Sequence, residues 1–180
     1  MGRPIKEGEQ RTEIAYNTDI CSLFHNSFLV IGIGSPLRTD DQAGLLACEE
    51  LSSRGVNCIR CEYGLESCIS EIVEYSPKTL IVLDAVIFNG GEPGDIIVAT
   101  ANSIDSDKLV LTTHSIPFSK SIELVRAMSN IDNIYIIGIY PKSINVGLEI
   151  SHEIHIAIKH LVDAVIKCIK RKEEGRVLEK

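Results

Sequence analysis

The side chains of this sequence best placed for chemistry are the adjacent carboxylates Asp40 and Asp41, the carboxylate of Asp84 and the imidazole of His114. Asp40 and Asp41 end the stretch Gly32-Ile33-Gly34-Ser35-Pro36-Leu37-Arg38-Thr39-Asp40-Asp41, which follows the apolar run Phe28 to Ile33. Asp84 closes the run Leu80-Ile81-Val82-Leu83, and His114 stands in Thr112-Thr113-His114-Ser115-Ile116-Pro117. A strand, a glycine turn and a polar helix start are how open α/β folds build sites at strand ends. Carboxylates and an imidazole converging on one such edge suit a divalent metal, nickel and zinc included, or an acid–base pair.

Each residue also has a plain structural reading. Acidic side chains near a helix N-terminus gain about 0.3–1 kcal/mol from the helix dipole. Thr39 is expected to supply that cap already, so two further carboxylates exceed what capping needs. Asp84, flanked by apolar neighbours, is costly to bury without a partner. The partner is a metal, a proton to be moved, or a lysine or backbone amide of the next loop. His114 precedes a proline suited to a first helical turn, which puts the ring in an entry loop facing the cleft.

Other motifs are weaker. His152-Glu153-Ile154-His155 is one residue short of the zinc motif, whose histidines stand four apart on one helical face. All three histidines of this helix, His160 included, read as structural or exposed. Gly32-x-Gly34 follows a strand as in dinucleotide folds, yet the third glycine position holds Leu37. Pro36 and Asp40-Asp41 would put bulk and negative charge where a pyrophosphate belongs. No G-x-S-x-G occurs, which removes a nucleophile elbow.

The elements that must position these groups alternate. Strands are expected at Phe28–Ile33, Val56–Glu62, Thr79–Asp84, Asp95–Ala99 and Ile134–Tyr140. Three of them are almost wholly apolar, as strands covered on both faces are. Asp95–Ala99 follows a short turn-rich segment and is expected at the margin, running antiparallel. Helices are expected at Asp40–Ser53, Glu66–Tyr75, Pro117–Met128 and Ser151–Lys172. Thr39 and Gln42 match a capping box for the first. Ile154, Ile158, Leu161, Val162, Val165, Ile166 and Ile169 give the last one apolar face. The expected fold is α/β and three-layered: a mostly parallel, twisted five-stranded sheet with helices on both faces. Residues 1–27 read as a polar leader, 28–172 as the single domain and 173–180 as a charged tail.

Composition bounds the rest. The 180 residues are 44% hydrophobic and 24% charged, with a formal net charge of −7. That balance argues against a nucleic-acid partner, which needs a basic face. No apolar stretch reaches the roughly 20 residues that span a bilayer, so no membrane partner is expected. The start of the chain is too polar for a signal peptide. A cytoplasmic protein is expected, with its six cysteines as reduced thiols. Cys58 and Cys61, the one C-x-x-C pair, fall on opposite faces of a strand rather than at a redox turn.

Taken in order, Gly32 to Asp41, Leu83-Asp84-Ala85-Val86 with Pro93-Gly94, and Thr112 to Pro117 resemble the hydrogenase maturation proteases. The likeness is greatest to the branch serving formate-hydrogenlyase-type and archaeal hydrogenases, and runs from Phe28 to the end of the last helix. It implies an endopeptidase that removes a C-terminal extension from the large-subunit precursor of a nickel–iron hydrogenase once nickel is in place. It implies as metal ligands Asp41, Asp84 and His114, acting on nickel carried by that precursor. The expected catalytic carboxylates are then Asp41, Asp84 and Asp40, with Asp40 or Asp84 as base. Ser35 stands where the family usually has Asn, and Gln42 where Gly is frequent. Two alternatives share the ligand set: a nickel- or precursor-binding maturation factor without activity, and an unrelated metallohydrolase with a permanent metal.

Overall fold

The computed structural model describes residues 14–16, 19–25, 27–101, 109–111 and 117–178. All five expected strands form, as β2 (Phe28–Gly34), β3 (Cys58–Glu62), β4 (Thr79–Phe88), β5 (Ile96–Thr100) and β7 (Asn133–Ile139). Two three-residue strands, β1 (Ile14–Tyr16) and β6 (Leu109–Leu111), extend the sheet. Its path is β1-β5-β7-β4-β2-β3, with β6 paired to the end of β4. β2, β3, β4 and β7 are mutually parallel along this path, and β5 runs antiparallel to β7 as expected. β1 then lies parallel to β5, outside it, so the antiparallel strand is not the outermost.

Among the described residues four α-helices cover the sheet: α1 (Ala43–Ser53), α2 (Ile69–Tyr75), α3 (Phe118–Met128) and α4 (His152–Leu178). α1 and α4 pack on one face with Val30, Ile81, Leu83 and Ile137. α2 and α3 pack on the other with Leu29, Ile31, Leu80, Val82 and Ile136. The expected apolar face of α4 meets the first of these layers: Ile154, Ile158, Leu161, Val162 and Val165 are buried. Period-2 alternation in β2 and β4 divides their side chains between the two layers. Ile20, Leu23 and Phe24, from the segment expected as a polar leader, join the α1–α4 layer.

Two local expectations are corrected. The capping box at α1 does not form: Thr39 makes no side-chain cap, and the helix starts at Ala43 behind a 3-10 turn, Asp40–Gln42. The Thr39 hydroxyl instead donates to the Ser143 carbonyl at 2.6 Å, a partner 104 residues away. Tertiary contact thus outcompetes the local cap. Reduced thiols give way to three disulfides, Cys21–Cys168, Cys48–Cys58 and Cys61–Cys68. Cys58 and Cys61 do face opposite layers, and for that reason each meets a different partner, one on α1 and one beyond β3. Disulfides persist in oxidising compartments or in thermophile cytosol. Among the described residues no helix is long and apolar enough to cross a membrane.

Candidate active site at the carboxyl ends of the strands

Asp41 is placed by its own backbone neighbourhood. Gly34 ends β2 at φ +151°, and a Cβ there would stand 2.0 Å from the Asp41 carbonyl oxygen. Only glycine permits so close a return of the chain. The turn lets the Ser35 N–H donate to Asp41 Oδ2 at 3.1 Å. An amide that in dinucleotide-binding folds faces a phosphate is thereby given to the chain's own carboxylate, which agrees with the exclusion of that reading.

Gly44 brings the start of α1 onto the sheet. A Cβ at this position would lie 2.2 Å from the Leu83 carbonyl and 2.4 Å from that of Ile33. The 3-10 turn carrying Asp41 therefore packs against β4, the strand that carries Asp84. Both carboxylates are withdrawn from solvent, Asp41 at 0% exposure and Asp84 at 1%.

Asp84 is not the last residue of its strand, as its sequence context suggested; β4 continues to Phe88. What ends near it is the pairing with β2, whose last register pair is Gly32 with Leu83. Asp84 itself pairs with Gly138 of β7, and its Oδ1 accepts the N–H of Ala85 at 2.8 Å. It shares register parity with Leu80, Val82 and Val86, the face covered by α3. His114 lies outside the described residues. Its described flanks are β6, paired antiparallel with Val86–Phe88, and α3.

Asp40 is equally buried but turned to other work. Its Oδ2 accepts the backbone amides of Lys142 and Ser143, both at 2.9 Å, and its Oδ1 that of Ser151 at 2.7 Å. The carboxylate fastens the segment between β7 and α4 to the start of α1. Thr39 and Asp40 add backbone bonds to Asn145 and Ser143, and Arg38 forms an isolated bridge with Val146. Lys142 reaches on to Glu153 of α4, Nζ to Oε1 at 2.6 Å. That hydrogen bond holds the Glu153 carboxyl below its ordinary range. This 142–151 segment was not singled out in the sequence, although Val146 and Leu148 are apolar in an otherwise turn-like stretch.

Histidines 152, 155 and 160 are all exposed on α4. Among the described residues, no group of three or more His, Cys, Asp or Glu side chains is gathered to hold a metal.

The candidate site thus holds two buried carboxylates, Asp41 in the turn after β2 and Asp84 within β4, with Asp40 anchoring the loop beside them. The family model for hydrogenase maturation protease matches residues 64–168, more than half of the chain and a span containing Asp84 and His114. The chain belongs to the hydrogenase maturation protease family. It is a hydrogenase maturation endopeptidase by that membership. Its fold is similar to that of the maturation protease HycI from Thermococcus kodakarensis KOD1, at TM-score 0.71 and 25% identity over 84% of this chain and 98% of that one. HybD from the same organism superposes at TM-score 0.66 with 23% identity, covering 78% and 97%. The endopeptidase HycI from Escherichia coli does so at 0.63 with 23%, covering 76% and 87%. No curated protein sequence matches this maturation protease.

Proposed function

We propose that this protease cuts the C-terminal extension from a nickel–iron hydrogenase large-subunit precursor, and that it selects precursors already loaded with nickel. Asp41, Asp84 and His114 are the proposed ligands to the nickel the precursor carries. The observation that carries this reading is the joint burial of Asp41, in the turn after β2, and Asp84, in the strand on which that turn packs. Two carboxylates in such a place are stabilised by a cation that arrives with the substrate, which makes recognition conditional on metal insertion.

In the proposed mechanism, water adds to the scissile carbonyl beside the nickel, which acts as Lewis acid. Asp84 is assigned either to the nickel or to the proton of that water, which as base it would pass to the departing amine. Asp40 is assigned a positioning role, since both of its oxygens already accept backbone amides. The test is the intact mass of a nickel-loaded precursor before and after incubation, beside a nickel-free control. Loss of a C-terminal peptide from the loaded form alone is expected. Cleavage of both forms equally would remove the nickel gate, and cleavage of neither would leave a binding factor.

A further inference from the structure

Beside Asp41 a hollow of about 370 Å³ is lined by Ser35, Leu37, Arg38, Tyr63 and Val146. Its apolar walls are unusually open to water: Val146 is 84% exposed, Leu37 56% and Tyr63 52%. Large apolar side chains clustered in solvent mark a surface that something covers. These are also held in place rather than left on slack loops. Gly147 N–H donates to the Leu37 carbonyl at 3.0 Å and Tyr63 N–H to the Gly34 carbonyl at 2.9 Å. Asp40 fixes the base of the same loop. A preorganised apolar surface binds without the cost of ordering it first.

The charge at its mouth narrows the occupant. Arg38 gives one N–H to the Ile144 carbonyl at 3.2 Å, and among the described residues it makes no ion pair. The nearest carboxylate in sequence to Tyr63, Glu62, is itself paired with Arg60 at 3.5 Å. In a chain of net charge −7, a guanidinium without a counter-ion among the described residues, in the lining of an apolar hollow, is suited to a carboxylate, which it can hold in a two-pronged bond.

We infer that this hollow docks an extended segment of the precursor in which an apolar side chain stands next to a carboxylate. The apolar chain fills the space between Leu37, Tyr63 and Val146, and the carboxylate pairs with Arg38. Continuity with Asp41 through Ser35 places the bound segment directly beside the proposed cutting site. The identity of the partner rests on the function proposed above; the chemistry of the hollow does not.

The test reads affinity and processing separately. Nickel-loaded precursor is passed over immobilised protease by surface plasmon resonance, and peptide release is followed in parallel by intact mass. Val146→Asp and Arg38→Glu, both at exposed positions, are each expected to weaken binding at least about tenfold, the scale of a central interface residue. Arg38→Lys keeps the charge but loses the two-pronged bond, and is expected to fall between the wild type and Arg38→Glu. Leu124→Asp, an equal change on exposed α3, is expected to leave affinity unaltered. Affinity unchanged in Val146→Asp or Arg38→Glu overturns the inference. So does a dimer of the wild-type chain that Val146→Asp dissolves, since the hollow would then serve self-association. Binding by the wild type without peptide release overturns the endopeptidase reading alone, and the variant affinities still decide the docking site.

Discussion

Asp40 Oδ1 accepts the backbone N–H of Ser151 at 2.7 Å, joining the start of α1 to the residue before α4 across 111 positions of sequence. With the amides of Lys142 and Ser143 on the other oxygen, one buried side chain sets the course of an entire loop. Asp40→Ala would remove the acceptor of three part-buried amide donors, each bond worth about 1 kcal/mol net. We expect unfolding free energy to fall by about 3 kcal/mol in urea titration. Asp40→Asn keeps acceptor capacity on one oxygen only and should lose about half as much. A stability equal to wild type in Asp40→Ala would show that the loop is held by other means.

Asp41 and Asp84 should behave differently from Asp40. Asp41→Asn retains an oxygen for the Ser35 amide, and Asp84→Asn one for that of Ala85, so both variants should fold. Each is expected to slow precursor processing by more than about 100-fold, beyond what loss of a merely supporting partner causes. Circular dichroism and intact-mass time courses separate the two effects. Normal processing by either variant would remove that residue from the proposed nickel site.

How much of this was legible beforehand follows from the range of each interaction. The strands that carry the site announce themselves locally: Leu80 to Leu83 and Phe28 to Ile33 are buried on both faces, so their pattern needs no distant partner. The turn Gly32-x-Gly34 is also readable, because a glycine without a Cβ leaves few other uses for the position. Thr39 misled for the opposite reason, since its hydroxyl serves Ser143 rather than the helix it precedes. The role of Asp40 was hidden too, because its donors are backbone amides, which any sequence supplies. The end of β4 was placed too early because β6 and β7, not β4 itself, keep it extended past Asp84.

Gly44 is expected to be intolerant of any side chain. Alanine would drive its methyl into the Leu83 and Ile33 carbonyls, backbone atoms that cannot swing aside. Displacement of α1 relieves the clash only by lifting the turn that holds Asp41 off β4. Gly44→Ala should therefore cost about 3 kcal/mol and slow processing together. Gly55, whose Cβ direction is open but whose φ is +86°, provides the contrast. Gly55→Ala should lose about 1 kcal/mol from backbone strain and leave processing intact. Equal loss of processing in both would detach activity from the α1 contact.

The disulfides give a prediction whose size differs among the three. Cys21–Cys168 joins residues 147 apart, Cys48–Cys58 residues 10 apart and Cys61–Cys68 residues 7 apart. If a bridge acts by restricting the unfolded chain, the longest loop gives the most, about 5 kcal/mol against about 3 and 2 for the others. Cys21→Ala with Cys168→Ala should then lower the urea midpoint most, because it also releases Ile20, Leu23 and Phe24 from α4. A thiol titration of the denatured, unreduced protein should find no free sulfhydryl. Six free thiols would restore the reading of reduced cysteines. Equal destabilisation by all three pairs would instead place the gain in native-state packing, since loop length would no longer order the effects.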